Sequence, residues 1–278
     1  MIPHYSLILK PIHSTKNPEL KQLRLLFEKA RERKKKGLFI IEGEREIKKA
    51  LLGKYSFTQI FIEEGSTPET PEIQALLNQT TAFRVEKNTF QRISRRSGSE
   101  KILAVAETKS HELDHLNLSD QALILVIEAP EKPGNIGALF RTAAAAKMDA
   151  VIIANPKTDF YNPNSIRSSL GSLFLLPSAL ASSSQVISYL NKKSFSIVAA
   201  ALEPDAIPYN QYDYKTPCAL ILGTESSGLE TNWLEAAHQS LIIPMAETVD
   251  SLNLSVSAGI LMYEAQRKNN RLEKKSIL

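Results

Sequence analysis

Apolar residues in the first part of this chain come in short runs that alternate with amphipathic stretches. "LFIIEG" (38–43), "FTQIFIEE" (57–64), "AFRVE" (82–86) and "ILAVAE" (102–107) read as strands. "EREIKKALL" (44–52) and segments near 71–77 and 89–94 carry helical spacing between them. Ahead of them, Asn17 is a good N-cap with Pro18 at the first helical position, and the pattern predicts one helix from there to Lys36, stopped by Gly37. This alternation predicts a small α/β domain over residues 1–107. A polar stretch without sustained periodicity, 108–121, reads as a linker.

From residue 122 the apolar runs change character. "ALILVIEA" (122–129), "AVIIAN" (150–155), "FSIVAAAL" (195–202), "CALILG" (218–223) and "SLIIP" (240–244) are continuous rather than alternating. That is the signature of parallel strands buried on both faces. Helical stretches fall between them at 135–147, 163–170, 183–193 and 230–237, and a long last helix covers about 252–270. The prediction for 122–278 is a second, larger α/β domain with a parallel sheet.

Composition adds little until charge is divided along the chain. With 43% hydrophobic and 23% charged residues the protein is ordinary for a soluble chain. No run approaches the roughly 20 apolar residues of a membrane span. The start lacks the basic flank and cleavage pattern of a secretory signal, so the expected compartment is the cytoplasm. Net charge is +4 over 278 residues, but residues 1–110 hold 21 Lys+Arg against 13 Asp+Glu, a net of +8. The remaining 13 and 17 give −4. The basic excess concentrates in "KARERKKKG" (29–37) and "FQRISRRSGSEK" (90–101), which points to a polyanionic partner, a nucleic acid. Arg33, Lys34, Lys35, Arg95 and Arg96 are the candidate contacts.

The candidate chemistry is narrow. The single cysteine, Cys218, excludes an internal disulfide or a multi-cysteine metal site, and it lies in an apolar run as a small core residue. His111-Glu112-Leu113-Asp114-His115 matches a zinc-protease pattern, but no apolar helical stripe surrounds it and it reads as coincidence in a solvated linker. No metal site is expected. The five histidines stand away from any nucleophile elbow.

Three loops that follow strands remain, where open α/β sheets gather ligands. "EKPGNIGALFRTAAAA" sets Gly134 and Gly137 about Asn135 at a helix start, with Arg141 one turn on among apolar residues. "LILGTESSGLE" ends a strand at Gly223 but is neither a dinucleotide nor a P-loop fingerprint, which excludes the common dehydrogenase and NTPase readings. "LIIPMAETVDSLNLSVSAG" carries a run of hydroxyls and amides into the last helix. Backbone groups, hydroxyls, one amide and one Arg suit a polar small molecule and a developing negative charge.

Taken together, "NIGALFRTA", "ILGTESSGL" and "IPMAETVDSLNLSVSAG" resemble the three motifs of the SpoU/TrmH class of SPOUT RNA 2′-O-methyltransferases, in order over 122–268. The first ~105 residues, "FIIEGEREIKKAL" above all, resemble the L30e-like substrate-binding domain that precedes the catalytic domain in rRNA-modifying members. The resemblance implies a parallel sheet with a deep C-terminal trefoil knot, S-adenosylmethionine as cofactor, and a homodimer joined through the C-terminal domain. By motif, Leu222, Gly223, Thr224, Ile243, Met245, Leu252 and Leu254 would line the cofactor site. Arg141, Asn135, Glu225, Ser251 and Asn253 match the catalytic positions. A guanidinium is a poor proton acceptor, so Arg141 reads as a clamp on phosphate and developing oxyanion rather than a base. Asn135 and Glu225 would organise the loops; Ser251 and Asn253 would orient the knot loop and the RNA while also capping the last helix. "SIRSSLGSLF" (165–174) resembles the family's segment between motifs 1 and 2 and adds Arg167 as an RNA contact. Lys147 stands where the family has Gly after the motif 1 helix. The implied reaction is methyl transfer to a ribose 2′-hydroxyl, with rRNA as substrate and guanosine as nucleoside. The alternatives are a tRNA enzyme of the same chemistry and a non-catalytic RNA-binding or assembly protein with this fold.

Overall fold

A five-stranded and a seven-stranded sheet organise the chain, in a computed structural model that describes residues 9–68, 70–96, 100–224 and 228–271. The elements of the first sheet and its helices are β1 (Lys10–Ile12), α1 (Pro18–Glu28), α2 (Ala30–Lys36), β2 (Leu38–Glu42), α3 (Glu44–Leu52), β3 (Phe57–Glu63), α4 (Pro71–Gln79), β4 (Thr81–Val85), α5 (Lys87–Ile93) and β5 (Ile102–Glu107). Strand order is β1-β4-β3-β5-β2, with β5 antiparallel to both neighbours and the other pairs parallel.

The second sheet is assembled from β6 (Leu123–Glu128), α6 (Pro133–Ala145), β7 (Ala150–Ala154), α7 (Pro163–Ser168), β8 (Ser178–Ala181), α8 (Ser183–Lys192), β9 (Ser196–Ala200), β10 (Ile207–Pro208), β11 (Cys218–Leu222), α9 (Thr231–Ala236), β12 (Gln239–Ile242) and α10 (Leu254–Lys268). Its order is β10-β12-β9-β11-β6-β7-β8 and every pair is parallel. The continuous apolar runs of β6, β7 and β11 are buried throughout, as strands covered on both faces must be. The short edge strands β1, β8 and β10 carry no such run and were not legible as strands.

Two compact units result: Met1–Lys109 with Tyr161–Leu175, and Ser110–Phe160 with Leu176–Leu278. The N-terminal unit therefore takes in a segment from between β7 and β8. Tyr161 stacks on Phe39 at 4.2 Å, Phe174 packs edge-on against Tyr55 at 5.0 Å, and Lys49 Nζ donates to Ser172 Oγ at 3.3 Å. The backbone at Gly53 lies so close that a Cβ there would sit 2.2 Å from the Phe174 carbonyl oxygen. Within the stretch read as a linker, Leu113, Leu116 and Leu118 pack on the core of the C-terminal unit, and Leu180 N–H donates to the His111 carbonyl at 2.8 Å. His111 packs on Phe160 at 4.3 Å, with Nδ1 3.1 Å from Ser178 Oγ. Among the described residues no group of three or more His, Cys, Asp or Glu is placed to hold a metal ion.

The single helix expected over 18–36 is broken. Lys29 is extended (φ −118, ψ 107), and Arg33, 3% exposed, turns back to donate from Nη1 to the carbonyls of Leu26 (2.6 Å) and Phe27 (3.1 Å). The last carbonyls of a helix need donors, and a buried guanidinium supplies them here. Arg33 is thus a structural cap and is withdrawn from the RNA contacts; Lys34 and Lys35 remain exposed.

Candidate functional site

β9, β11 and β12 are neighbours in the sheet, and their carboxyl ends open on one cavity of about 380 Å³. That is the size range of a small-molecule site, at the end of a parallel sheet where such sites form. Leu222, Gly223 and Thr224 line it from the end of β11, and Ile243 and Met245 from beyond β12. Leu252 and Leu254 close it from the entry to α10. All seven positions singled out in the sequence therefore meet on one surface, and Ser251 lies on it with them.

Backbone approach explains the glycine in the middle. A Cβ on Gly223 would stand 2.0 Å from the Gly228 carbonyl oxygen and 2.7 Å from the Leu229 nitrogen. Thr224 and Gly228 exchange both backbone hydrogen bonds at 3.1 Å, closing the loop across that contact. Glu225 lies outside the described residues.

Two charged lining groups escaped the sequence reading. Glu203, beyond β9, and Asp250 both face the cavity, and among the described residues no Lys, Arg or His lines it. The local field therefore favours a cationic ligand. The signal was faint, because isolated acids in polar loops look like any solvated surface.

The first motif sits on α6. The helix begins earlier than expected, at Pro133, and the Asn135 N–H closes a turn onto the Lys132 carbonyl at 3.0 Å. The Asn135 side chain meets the third motif: Asn253 Nδ2 lies 3.5 Å from Asn135 Oδ1, and Asn253 Oδ1 caps α10 by accepting from Ser255 N–H at 3.0 Å. Capping and bridging are thus combined in one residue. Thr142 on α6 touches α10 at Gly259, where an added Cβ would meet it at 3.4 Å. Arg141 is further along α6, exposed, and is not on the cavity wall; among the described residues its guanidinium has no ion-pair partner. The expected apolar surround is thus on the other faces of the helix.

Cys218 starts β11 fully buried, and burial pushes its thiol up to about 12, so it is a core group and not a nucleophile. In the N-terminal unit, Arg96 is taken up by carboxylates, with Nη2 3.0 Å from Glu46 and Nη1 2.9 Å from Glu100. Burial would raise the carboxyl of Glu46, but the hydrogen bonds from Arg96 and Arg45 outweigh it and hold it below its ordinary value. Arg95 is half exposed, 3.1 Å from Glu28, and Arg167 on α7 is exposed.

An open α/β sheet carrying an acid-lined cavity at its strand ends, with an asparagine pair beside it, has the make-up of a small-ligand site. Comparison with known proteins gives the family. Residues 122–263 match the SpoU rRNA Methylase family, and the chain belongs to it. Residues 17–104 match the MRM3-like substrate binding domain. Among relatives, 29% identity over 255 residues links the chain to the 23S rRNA (guanosine(2553)-2′-O)-methyltransferase RlmP of Bacillus subtilis, covering 92% of this chain and 98% of that protein. A crystal structure of an RNA 2′-O ribose methyltransferase is 37% identical with a TM-score of 0.80, covering 94% of this chain and 99% of that one. The AdoMet-bound rRNA methyltransferase of Sinorhizobium meliloti is 26% identical with a TM-score of 0.85, covering 93% and 98%.

Proposed function

We propose that this protein transfers the methyl group of S-adenosylmethionine to a ribose 2′-hydroxyl of large-subunit rRNA, with guanosine as the target nucleoside. One observation carries the reading: the seven motif positions and Ser251 line a single cavity that, among the described residues, has two carboxylates and no cation on its wall. When bound, S-adenosylmethionine supplies an electrophilic methyl on a positively charged sulfur, and its ammonium adds a second positive charge. Glu203 and Asp250 fit those charges, the apolar side chains of Leu222, Ile243 and Leu254 fit the flat adenine, and the backbone about Gly223 offers polar groups at close range.

Positioning does most of the chemical work in such a transfer. A ribose hydroxyl is a poor nucleophile, and the barrier falls when it is held in line and its developing charge is stabilised. Arg141 takes that role as a clamp on the phosphate and nascent oxyanion. Asn135 and Asn253 hold α6 and the start of α10 together, which fixes the loop carrying Ser251. Glu225 completes the set from the loop after β11.

The finer features of the reading are a trefoil knot, a homodimer and a cytoplasmic setting. The strand order supports the knot. β11 lies between β9 and β6, β12 lies outside β9, and the chain then returns so that α10 packs against α6 and β11. Exposed Val256 and Tyr263 on α10 support a partner subunit there. The N-terminal unit is read as the L30e-like gripping domain, bounded near residue 107.

The test is methyl transfer from labelled S-adenosylmethionine to separated rRNA and tRNA, followed by digestion to nucleosides. A labelled 2′-O-methylguanosine from rRNA is the expected product. Label in tRNA alone would move the substrate to the other class, and no label in either would sink the enzymatic reading.

A further inference from the structure

Beside α1 and α7 the N-terminal unit has a cavity of about 350 Å³ with a different lining. Arg95, Arg96 and Arg167 all reach it, although the sequence separates them into two distant segments. The first two lie in the turn after α5, and the third is on α7, in the segment that joins this unit from between β7 and β8. From the structure we infer that this cavity takes a single unpaired nucleotide of the substrate RNA; the inference rests on RNA being the substrate.

The chemistry of the wall selects a nucleotide over a bare phosphate run. Arg167 is exposed and has no ion-pair partner among the described residues, so it is available to a phosphate. Arg95 lies over the Phe27 ring at 5.8 Å, which sets its planar guanidinium as a stacking surface. Bases splayed from single-stranded RNA stack on such planes. Ile40 supplies an apolar floor. Glu42 is the telling member. A carboxylate inside a phosphate-binding site would repel its ligand, but it is a good acceptor for the N–H groups on a base edge. Ser94 Oγ at 2.6 Å, Arg95 N–H at 2.9 Å and Arg96 N–H at 3.2 Å all donate to its Oε1. Those three bonds fix the turn that presents both arginines.

The cavity is also built to hold its shape. Arg96 is pinned between Glu46 and Glu100, and Glu46 is fully buried. The α7 side is held by the Tyr161–Phe39 stack and the Phe174–Tyr55 contact. A rigid, mixed-charge pocket costs little to organise when a base enters it.

The experiment uses the full chain and two fluorescent RNA stems of one sequence, one with a single bulged nucleotide and one fully paired, read by anisotropy. All four bases are tried at the bulge, and an abasic residue is tried there as well. Wild type is expected to prefer the best bulged stem. Arg95→Ala and Arg167→Ala are each expected to lose about ten-fold on it, the scale of one stacked base, and little on the paired stem. Both side chains are exposed, so the fold should hold; the melting curve and S-adenosylmethionine affinity check that. The abasic bulge should cost wild type the same factor and cost Arg95→Ala nothing further. Equal losses on both stems would reduce the cavity to a general phosphate-binding face and overturn the inference, as would no loss at all. Methyl transfer to rRNA is scored separately. Its absence in wild type, with bulge preference intact, would fail the enzymatic reading and leave the cavity standing.

Discussion

The strand-end cavity and the arginine cavity are opposites in construction. The one at the ends of β9, β11 and β12 has, among the described residues, carboxylates but no cation on its wall, and its geometry is set by backbone, as at Gly223. The one beside α1 has three arginines, and its geometry is set by side-chain ion pairs behind the wall. A small cationic cofactor needs a fixed concave surface, and strand ends provide that at no cost in buried charge. A nucleotide of a polyanion needs guanidiniums held at fixed positions, and those must be neutralised or anchored one by one. Binding and chemistry are therefore exposed to mutation in different ways in the two units.

The largest effect on stability is expected where a buried charge holds the arginine wall. Glu46→Gln leaves Arg96 with Glu100 as its ion-pair partner among the described residues and should destabilise the N-terminal unit by about 2–3 kcal/mol, the scale of hydrogen bonds to a charged group, read by chemical denaturation. The sign of the pH dependence follows from the lowered carboxyl of Glu46. Its contribution is complete above the ordinary carboxylate value and is lost as pH falls through the lowered folded value. The N-terminal unit should therefore lose stability on strong acidification in wild type and show less of that slope in Glu46→Gln. An unchanged acid limb in the variant would show that other carboxylates control it.

Next is Arg141→Ala. Exposed and off the wall of the strand-end cavity, Arg141 in its proposed role as a clamp should be dispensable for S-adenosylmethionine binding, while methyl transfer falls by about 10²–10³ in its absence. Calorimetry and single-turnover transfer separate the two. Near-normal turnover would remove Arg141 from the catalytic set. Gly223→Ala sharpens the contrast from the other side. Its Cβ would collide with backbone at 2.0 Å, which no side-chain rearrangement relieves. Overpacking of this kind costs about 1–3 kcal/mol, and here it should appear as about ten-fold weaker cofactor binding, with RNA binding by the N-terminal unit unchanged.

The same contrast governs what the sequence could disclose. The parallel sheet was legible because strands buried on both faces must be apolar throughout, as in β6, β7 and β11. That the third-loop and β11-end residues share one cavity was legible because strand ends and the loops that follow them keep those residues in local runs. The arginine cavity was not. Arg95 and Arg167 each drew attention as basic residues, but nothing in linear order says that α7 leaves its own sheet to join the first unit. The broken helix after α1 failed for a related reason: seven residues of "ARERKKK" have good local helical character, and only the buried turn of Arg33 onto the carbonyls of Leu26 and Phe27 reveals the break.

The smallest predicted effect probes a link inside the C-terminal unit that no motif contains. Glu128 ends β6 at 1% exposure and accepts hydrogen bonds from Trp233 Nε1 at 2.7 Å, Asn155 Nδ2 at 3.0 Å and Ser183 Oγ. Trp233 is the sole tryptophan and sits on α9, next to Leu234 on the wall of the strand-end cavity. Trp233→Phe keeps most of the buried ring and removes only the indole donor, while Ser183 still serves the same carboxylate oxygen. The cost should be about 1 kcal/mol, with S-adenosylmethionine affinity by calorimetry lowered a few-fold at most. A loss as large as that of Gly223→Ala would mean that side-chain bonds, not backbone, set this cavity too, and the contrast between the two sites would fail. A change confined to stability would place Glu128 and Trp233 in the core alone and leave the wall to the strand ends.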